Sequence, residues 1–315
     1  MTDYLQAEHH PNCYPSNPKT ALNFFRKALN SFPAKELPPS PAKKNIAGII
    51  MPHIDFRVSL ASYAAAFHLL LGELLADTYL ILGVGHRSQI EWNLDRRDYV
   101  TPLGRVGCAR ELVDILAEGA TSSQYFSPEG HHGEHSIEFA LVWLQALHRL
   151  HPGKTKKKFR FVPLLCGGLY HYVEQIAEWK DLADFHRLSR NLAHLFEKNP
   201  PGEKLRVIVS IDGCHIGPRF HHPFAVTPAI LKSIDHWEKN LWACASAGDA
   251  RNFLDWFRVE GNIRGFDGVG ALGLLLAAGA GKFTLQRTCY EQWFSPHDAS
   301  VVTFSSGRVL ASRSP

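Results

Sequence analysis

The chain has no CxxC pair, no long apolar run and almost no excess of charge, and each lack removes a class of function. Its six cysteines (Cys13, Cys108, Cys166, Cys214, Cys244 and Cys289) are scattered over 315 residues. In a chain this long, that scatter argues against a disulfide framework and for free thiols in a reducing compartment. The longest apolar stretch, Ala271 to Ala280, is too short to span a bilayer. Met1-Thr2-Asp3-Tyr4 has no basic region followed by an apolar core, so no secretory signal is expected. The formal net charge of +4 is weak for this length, and no basic stripe is interleaved with aromatics, which excludes a nucleic-acid footprint. The one charge run, Lys154-Thr155-Lys156-Lys157-Lys158, reads as a solvated turn rather than a phosphate or membrane site. A cytoplasmic protein without nucleic-acid or membrane partners is the expectation. At 45% hydrophobic and 20% charged, it can bury a sizeable core.

What the chain does have is histidine, 18 of them. Those on helical patterns among charged residues (His148, His151, His186, His194, His236) are read as ordinary polar positions. Three others follow a rule. The apolar runs Ala47–Met51, Tyr79–Gly83 and Arg206–Ser210 each lead into a histidine: His53, His86 and His215. Short apolar runs bounded by Gly or Pro mark strands buried on both faces of a parallel sheet. Open α/β sheets bind ligands at the carboxyl ends of such strands, so residues far apart in sequence would meet at one edge. Three imidazoles there could hold a transition metal, or divide metal binding from acid–base work.

The rest of the chain fits one mixed α/β domain with a mostly parallel sheet and helices on both faces. Residues 1–44 are expected to form an N-terminal arm, a helix (Thr20–Phe32) and a Pro-rich linker, Pro38-Pro39-Ser40-Pro41. Residues 45–315 form the α/β domain. Helices are expected over 60–75, 110–118, 135–150, 172–198, 230–247, 250–257 and 269–278, with Gly248-Asp249 as a break and cap. The strand signals at the end include Ser305-Ser306-Gly307 as the turn of a terminal hairpin.

The strings Cys13-Tyr14-Pro15, Met51-Pro52-His53, Leu82-Gly83-Val84-Gly85-His86, Gly133-Glu134-His135-Ser136-Ile137-Glu138 and Ser210-Ile211-Asp212-Gly213-Cys214-His215-Ile216-Gly217 resemble those of the MEMO family. The family's fold is similar to that of class III non-haem extradiol dioxygenases, in which two histidines and a carboxylate hold Fe(II) and another histidine moves protons. The resemblance implies a cleft in which His53 and His86 ligate Fe(II) or another divalent transition metal, with His215 as acid–base group or third ligand. It brings in His135 as a cleft residue and implies no nucleotide cofactor. Radical-SAM or AMMECR1-like proteins are partners implied by the resemblance alone.

Many MEMO-like proteins carry a cysteine in an Ile-Cys-Gly string; here Ile263-Arg264-Gly265 places Arg264 there. Arginine stays protonated and cannot ligate a metal. Asp267 is the nearest replacement carboxylate, although its position suits the N-cap of the following helix, which is the preferred reading. Asp212, three residues before His215, could orient an imidazole by accepting its N–H. Two functions follow: metal-assisted oxidation of a small aromatic or enol-bearing substrate, or a non-catalytic module that grips an anionic ligand or protein partner through Arg264 and the histidines. A metal-dependent hydrolase would want more carboxylates near the histidines.

Overall fold

The apolar runs before His53 and His86 and the run leading towards His215 lie side by side at the centre of one sheet. The computed structural model describes residues 3–10, 12–39, 44–72, 74–155, 157–199, 201 and 205–312. Met1, Thr2, Ser40, Pro41 and Lys156, which figure in the expectations above, lie outside them. The strands are β1 (Tyr4–Gln6), β2 (Lys44–Met51), β3 (Thr78–Val84), β4 (Trp92–Leu94), β5 (Asp98–Thr101), β6 (Gly104–Cys108), β7 (Arg160–Cys166), β8 (Leu205–Ser210), β9 (His215–Ile216), β10 (Phe283–Ser295) and β11 (Ser300–Ser312). They follow the order β1-β5-β6-β7-β3-β8-β2-β11-β10, with β4 on β7 and β9 on β11. From β7 through β3 and β8 to β2 all neighbours are parallel, whereas β11 runs antiparallel to β2 and β10.

Successive residues of a strand point to opposite faces, so consecutive buried residues require both faces to be covered. Leu80 and Ile81, Val207 and Ile208, and Ile49 and Ile50 are all fully buried. The helix Leu60–Leu70 packs on β2 and β11, and the helix His135–Leu150 on β3 and β8. Val269–Gly279 packs on β3 and β7. Its small residues allow a close approach: a Cβ at Gly270 would stand 2.0 Å from the Gly167 carbonyl oxygen. No helix among the described residues is long and apolar enough to cross a membrane, and all six thiols are free.

The structure differs from the expectations at the ends of elements. The first helix is Pro18–Ser31, begun by Asn17, whose Oδ1 accepts from the N–H groups of Lys19 and Thr20. The residues before it are no free arm, because β1 adds in parallel to β5 and the Tyr14 hydroxyl donates to Glu138. The expected helix 172–198 is split into Tyr170–Val173 and Ala183–Lys198. The expected turn at Ser305–Gly307 lies inside β11, and the chain reverses at residues 296–299 instead. Opposite Gly307 the register of β10 shifts, and a Cβ there would come within 2.6 Å of the Gln286 carbonyl oxygen. Gly307 thus serves a close strand approach at a bulge, a role that a turn signal mimics.

The parallel centre sets a steric limit that is open to test. A Cβ at Gly48 in β2 would lie 2.0 Å from the Val207 carbonyl oxygen, whereas one at Gly72 meets nothing within 4 Å. Gly48→Ala is expected to lower unfolding stability in urea by about 1–3 kcal/mol, the usual cost of overpacking a core. Gly72→Ala should change it by no more than about 0.5 kcal/mol. Equal midpoints for the two variants would contradict the packing described.

Candidate functional site

β2, β3 and β8 end at one edge, with Met51 paired to Ser210 and Leu82 to Val209. Pro52-His53, Gly85-His86 and Ile211-Asp212 therefore leave the sheet from neighbouring strands. The Ile211 N–H continues the ladder by donating to the Met51 carbonyl at 3.0 Å. A fourth contributor is the start of the helix His135–Leu150. It seats on Gly83, where a Cβ would stand 2.6 Å from Ser136 Oγ, and that hydroxyl donates to the Val84 carbonyl at 2.9 Å.

Three imidazoles result in mutual contact: ring centroids are 5.0 Å apart for His53 and His86, 5.1 Å for His53 and His135, and 4.5 Å for His86 and His135. They open on a cleft of about 630 Å³ that His215 and Asp212 also line, with Phe139, Phe220 and Trp293 among its apolar walls. The ligand atoms of His53, His86 and His135 lie within 4.8 Å of one another, as do those of His53, Asp212 and Asp267. His215 joins neither group. It faces the same cleft, with Nδ1 held to the carbonyls of Gly213 and Gly265 at 3.1 and 3.0 Å. Carbonyls only accept, so Nδ1 carries a proton and Nε2 is the ring nitrogen left for the cleft.

Each ligand candidate has a partner that fixes it. Glu134 begins its helix by accepting from the Ser136 N–H, and the same carboxylate accepts from the His86 backbone N–H and from His86 Nδ1, each at 3.0 Å. This leaves His86 Nε2 aimed outward. Burial works against the Glu134 charge, but the hydrogen bond and positive charge of His86 outweigh it and hold the carboxyl down to about 2. Asp212 Oδ1 accepts from the N–H groups of His53 and Ile54 at 2.9 and 3.2 Å, tying the exit of β2 to that of β8. His53 Nδ1 bonds the Ser210 carbonyl at 3.1 Å, and its Nε2 faces Asp267 Oδ2 at 3.1 Å and Asp212 Oδ2 at 3.8 Å.

Charge in this corner is concentrated and buried. His53 is 2% exposed, and burial alone would strip its proton; Asp212 and Asp267 overcome that and raise it to about 10. Burial, reinforced by the Asp267 charge and opposed by His53, raises the Asp212 carboxyl above the ordinary range. At Asp267 burial is outweighed by His53, which holds the carboxyl low. His135 goes the other way, down to about 3, through burial and the positive charge of His53 and His86.

Two expectations are corrected. Arg264 does not face the histidine cleft. Its guanidinium pairs with Glu260, lies 4.9 Å from the Trp237 ring centroid, and lines a separate groove with Ile216, Phe224 and Ile263. The left-handed turn at Gly265 (φ +57°) reverses the chain, so Arg264 and Asp267 project to different sides. Nor does Asp267 cap the next helix: Gly268 holds that position without a side-chain bond, while Asp267 points at His53. Neither Glu138, although it ends one of the family-like strings, nor His9 was given a role by the sequence. Glu138, fully buried one helical turn beyond Glu134, accepts from the Tyr14 hydroxyl (2.6 Å), the N–H groups of Glu8 and His9 (2.8 and 3.0 Å), and His9 Nδ1 (3.0 Å). His131 is buried and bonds the Asn93 carbonyl, a packing role.

A family model described as Memo-like protein matches residues 6–261. The chain belongs to the Memo-like family. A MEMO1 family protein of Aquifex aeolicus (strain VF5) is 24% identical to this Memo-like chain over 229 residues, 72% of the chain and 52% of the relative. A MEMO1 family protein of Sulfurisphaera tokodaii is 30% identical over 115 residues, 35% of the chain and 39% of the relative. The Memo-like chain thus spans about half the length or less of these curated relatives. An uncharacterised Escherichia coli K12 protein of known crystal structure aligns at 12% identity with a TM-score of 0.39, over 74% of this chain and 86% of that one.

The Glu138 network gives a pH-dependent expectation. Burial opposes the Glu138 charge, but the bonds from His9 and Tyr14 hold its carboxyl below the ordinary 4.5. His9 lies above the ordinary 6.5 because its bond to Glu138 outweighs burial. The glutamate contribution is complete above 4.5 and fades as pH falls through its folded value. The histidine contribution is complete below 6.5 and fades as pH rises through its folded value. Glu138→Gln is therefore expected to cost about 3 kcal/mol between these values, by denaturant titration, and less on either side. A difference that does not vary with pH would contradict this assignment.

Proposed function

We propose that the Memo-like cleft binds a divalent transition-metal ion at His53 and that a small molecule reacts beside it, as in non-haem iron oxidoreductases of the dioxygenase type. The observation that carries the reading is the Asp267 carboxylate. It is largely buried, its two oxygens accept no hydrogen bond among the described residues, and one of them lies 3.1 Å from His53 Nε2. A buried carboxylate without donors is costly unless a cation compensates it. The proton on His53 does so here, and a metal ion would do so in its place. Neutral imidazoles with carboxylates are the donors that suit iron, manganese or zinc.

His53 and Asp267 would hold the ion, with His86, His135 and Asp212 completing the choice of donors around it. When bound, the ion supplies Lewis acidity and, in the case of iron, one-electron redox chemistry. The protein's own residues do the rest. Glu134 keeps the proton on His86 Nδ1 and so presents Nε2 as a donor, the carboxylate–histidine arrangement that orients metal ligands. Asp212 fixes the His53 backbone. His215, with Nδ1 tied to two carbonyls, can take a proton from a bound hydroxyl at Nε2 and return it. Phe139, Phe220 and Trp293 offer an apolar lining suited to an aromatic or enol-bearing molecule.

The reading of a non-catalytic anion-binding module rested on Arg264, which lies in another groove. Arg57 and Arg219 line the cleft, but Asp55 and Asp298 engage them. Anaerobic calorimetric titration of metal-free protein with Fe(II) or Zn(II), checked by elemental analysis, tests the proposal. One ion per chain is expected, with affinity reduced at least tenfold by Asp267→Asn and by His53→Ala. Unchanged occupancy in both variants would move any metal elsewhere. Arg264→Cys is expected to leave occupancy unchanged.

A further inference from the structure

Within the charge run, Thr155 and Lys157 are tied to the body of the protein. Thr155 Oγ1 donates to the Lys157 carbonyl at 2.7 Å and contacts His148 Nδ1 at 3.2 Å, while His148 Nε2 contacts the Tyr79 hydroxyl at 3.0 Å. The segment carrying Lys157 and Lys158 is thereby tied to the last turns of the helix His135–Leu150. Beside it lies a concavity of about 460 Å³ with Leu103, Val106 and Phe159 as its apolar surface. Arg105, Arg149, Lys157 and Lys158 stand around it, and among the described residues no carboxylate lines it. This is a size at which proteins enclose small organic ligands.

The four cations are not equivalent. Arg105 is engaged by Asp3 and Asp98 at 2.7 and 2.8 Å. Arg149 donates to the Leu103 carbonyl, which holds its guanidinium at the rim. Among the described residues, no carboxylate lies within ion-pair distance of Arg149, Lys157 or Lys158. Arg149, Lys157 and Lys158 thus set three positive charges without an ion pair around one partly apolar hollow. Clustered like charges repel, and the repulsion is relieved by an anion that meets them together. A forked guanidinium and two ammonium groups match the several oxygens of a phosphate.

We infer that this hollow is a binding site for a small organic phosphate, its anionic end against Arg149, Lys157 and Lys158 and its apolar body against Phe159 and Leu103. It lies at the opposite end of the helix whose first residue is His135, a helix 16 residues long and so roughly 24 Å. The inference is independent of the metal proposal. Phenyl phosphate is the probe, titrated calorimetrically into the full chain at low ionic strength, with inorganic phosphate and phosphatidylserine vesicles as the other arms. Saturable one-to-one binding of phenyl phosphate, tighter than that of inorganic phosphate, is expected. The doubly substituted Lys157→Glu, Lys158→Glu protein, altered at two exposed positions, should bind at least tenfold more weakly, as should Arg149→Gln. His53→Ala should bind unchanged. Binding unaffected by the lysine and arginine substitutions, or lost in His53→Ala, would overturn the assignment. So would the absence of saturable binding, equal affinity for inorganic phosphate, or a preference for the vesicles.

Discussion

One imidazole between two buried carboxylates organises the edge of the sheet. His53, Asp212 and Asp267 bring a surplus of negative charge to a place with little water, and such charge is tolerated when it is paired and hydrogen-bonded. Asp212 meets the condition by binding the backbone N–H groups of His53 and Ile54, which also locks β2 to β8. Among the described residues Asp267 accepts no hydrogen bond, and it relies on the charge of the His53 ring. The loop geometry follows from that need. The left-handed Gly265 turns the chain so that Asp267 faces inward while Arg264 goes to Glu260 and Trp237.

A second charged layer supports the first. Glu134 binds His86, and one turn later Glu138 binds His9 and Tyr14, so a single helix delivers two carboxylates behind the imidazoles. The N-terminal residues thereby become part of the site wall, through β1 at the sheet edge and His9 against His135, with ring centroids 5.4 Å apart. The helix can approach closely because Gly83 has no side chain at the contact. Position, tautomer and charge of the histidines therefore depend on the carboxylates behind them.

The mostly parallel sheet and the strand-tip histidines were legible in the sequence, because continuous apolar runs ending at Gly or Pro have few other readings. His53 and His86 meet where that pattern places them. Membership of the family was legible from the strings around Glu134 and Asp212. Asp267 was not, since an aspartate before a helix resembles a cap and its neighbour across the cleft lies more than two hundred residues earlier. Arg264 was misplaced for a related reason: a motif position does not say to which side of a turn its side chain goes. The terminal hairpin was misjudged because Ser-Ser-Gly serves equally well for a turn or for close packing at a bulge. Glu138 stood in a family-like string, but its pairing with His9 was not legible, because it depends on how the first residues dock, which local periodicity does not encode.

The central claim is that His53 and Asp267 share one cation. It is tested most directly by growing crystals of protein loaded anaerobically with Fe(II) or Zn(II) and locating the ion by its anomalous scattering. The account expects a single strong peak at about 2.0–2.2 Å from His53 Nε2 and from an Asp267 oxygen, the usual distances for imidazole and carboxylate donors. A peak bound elsewhere, with His53 Nε2 still paired to Asp267, would contradict it.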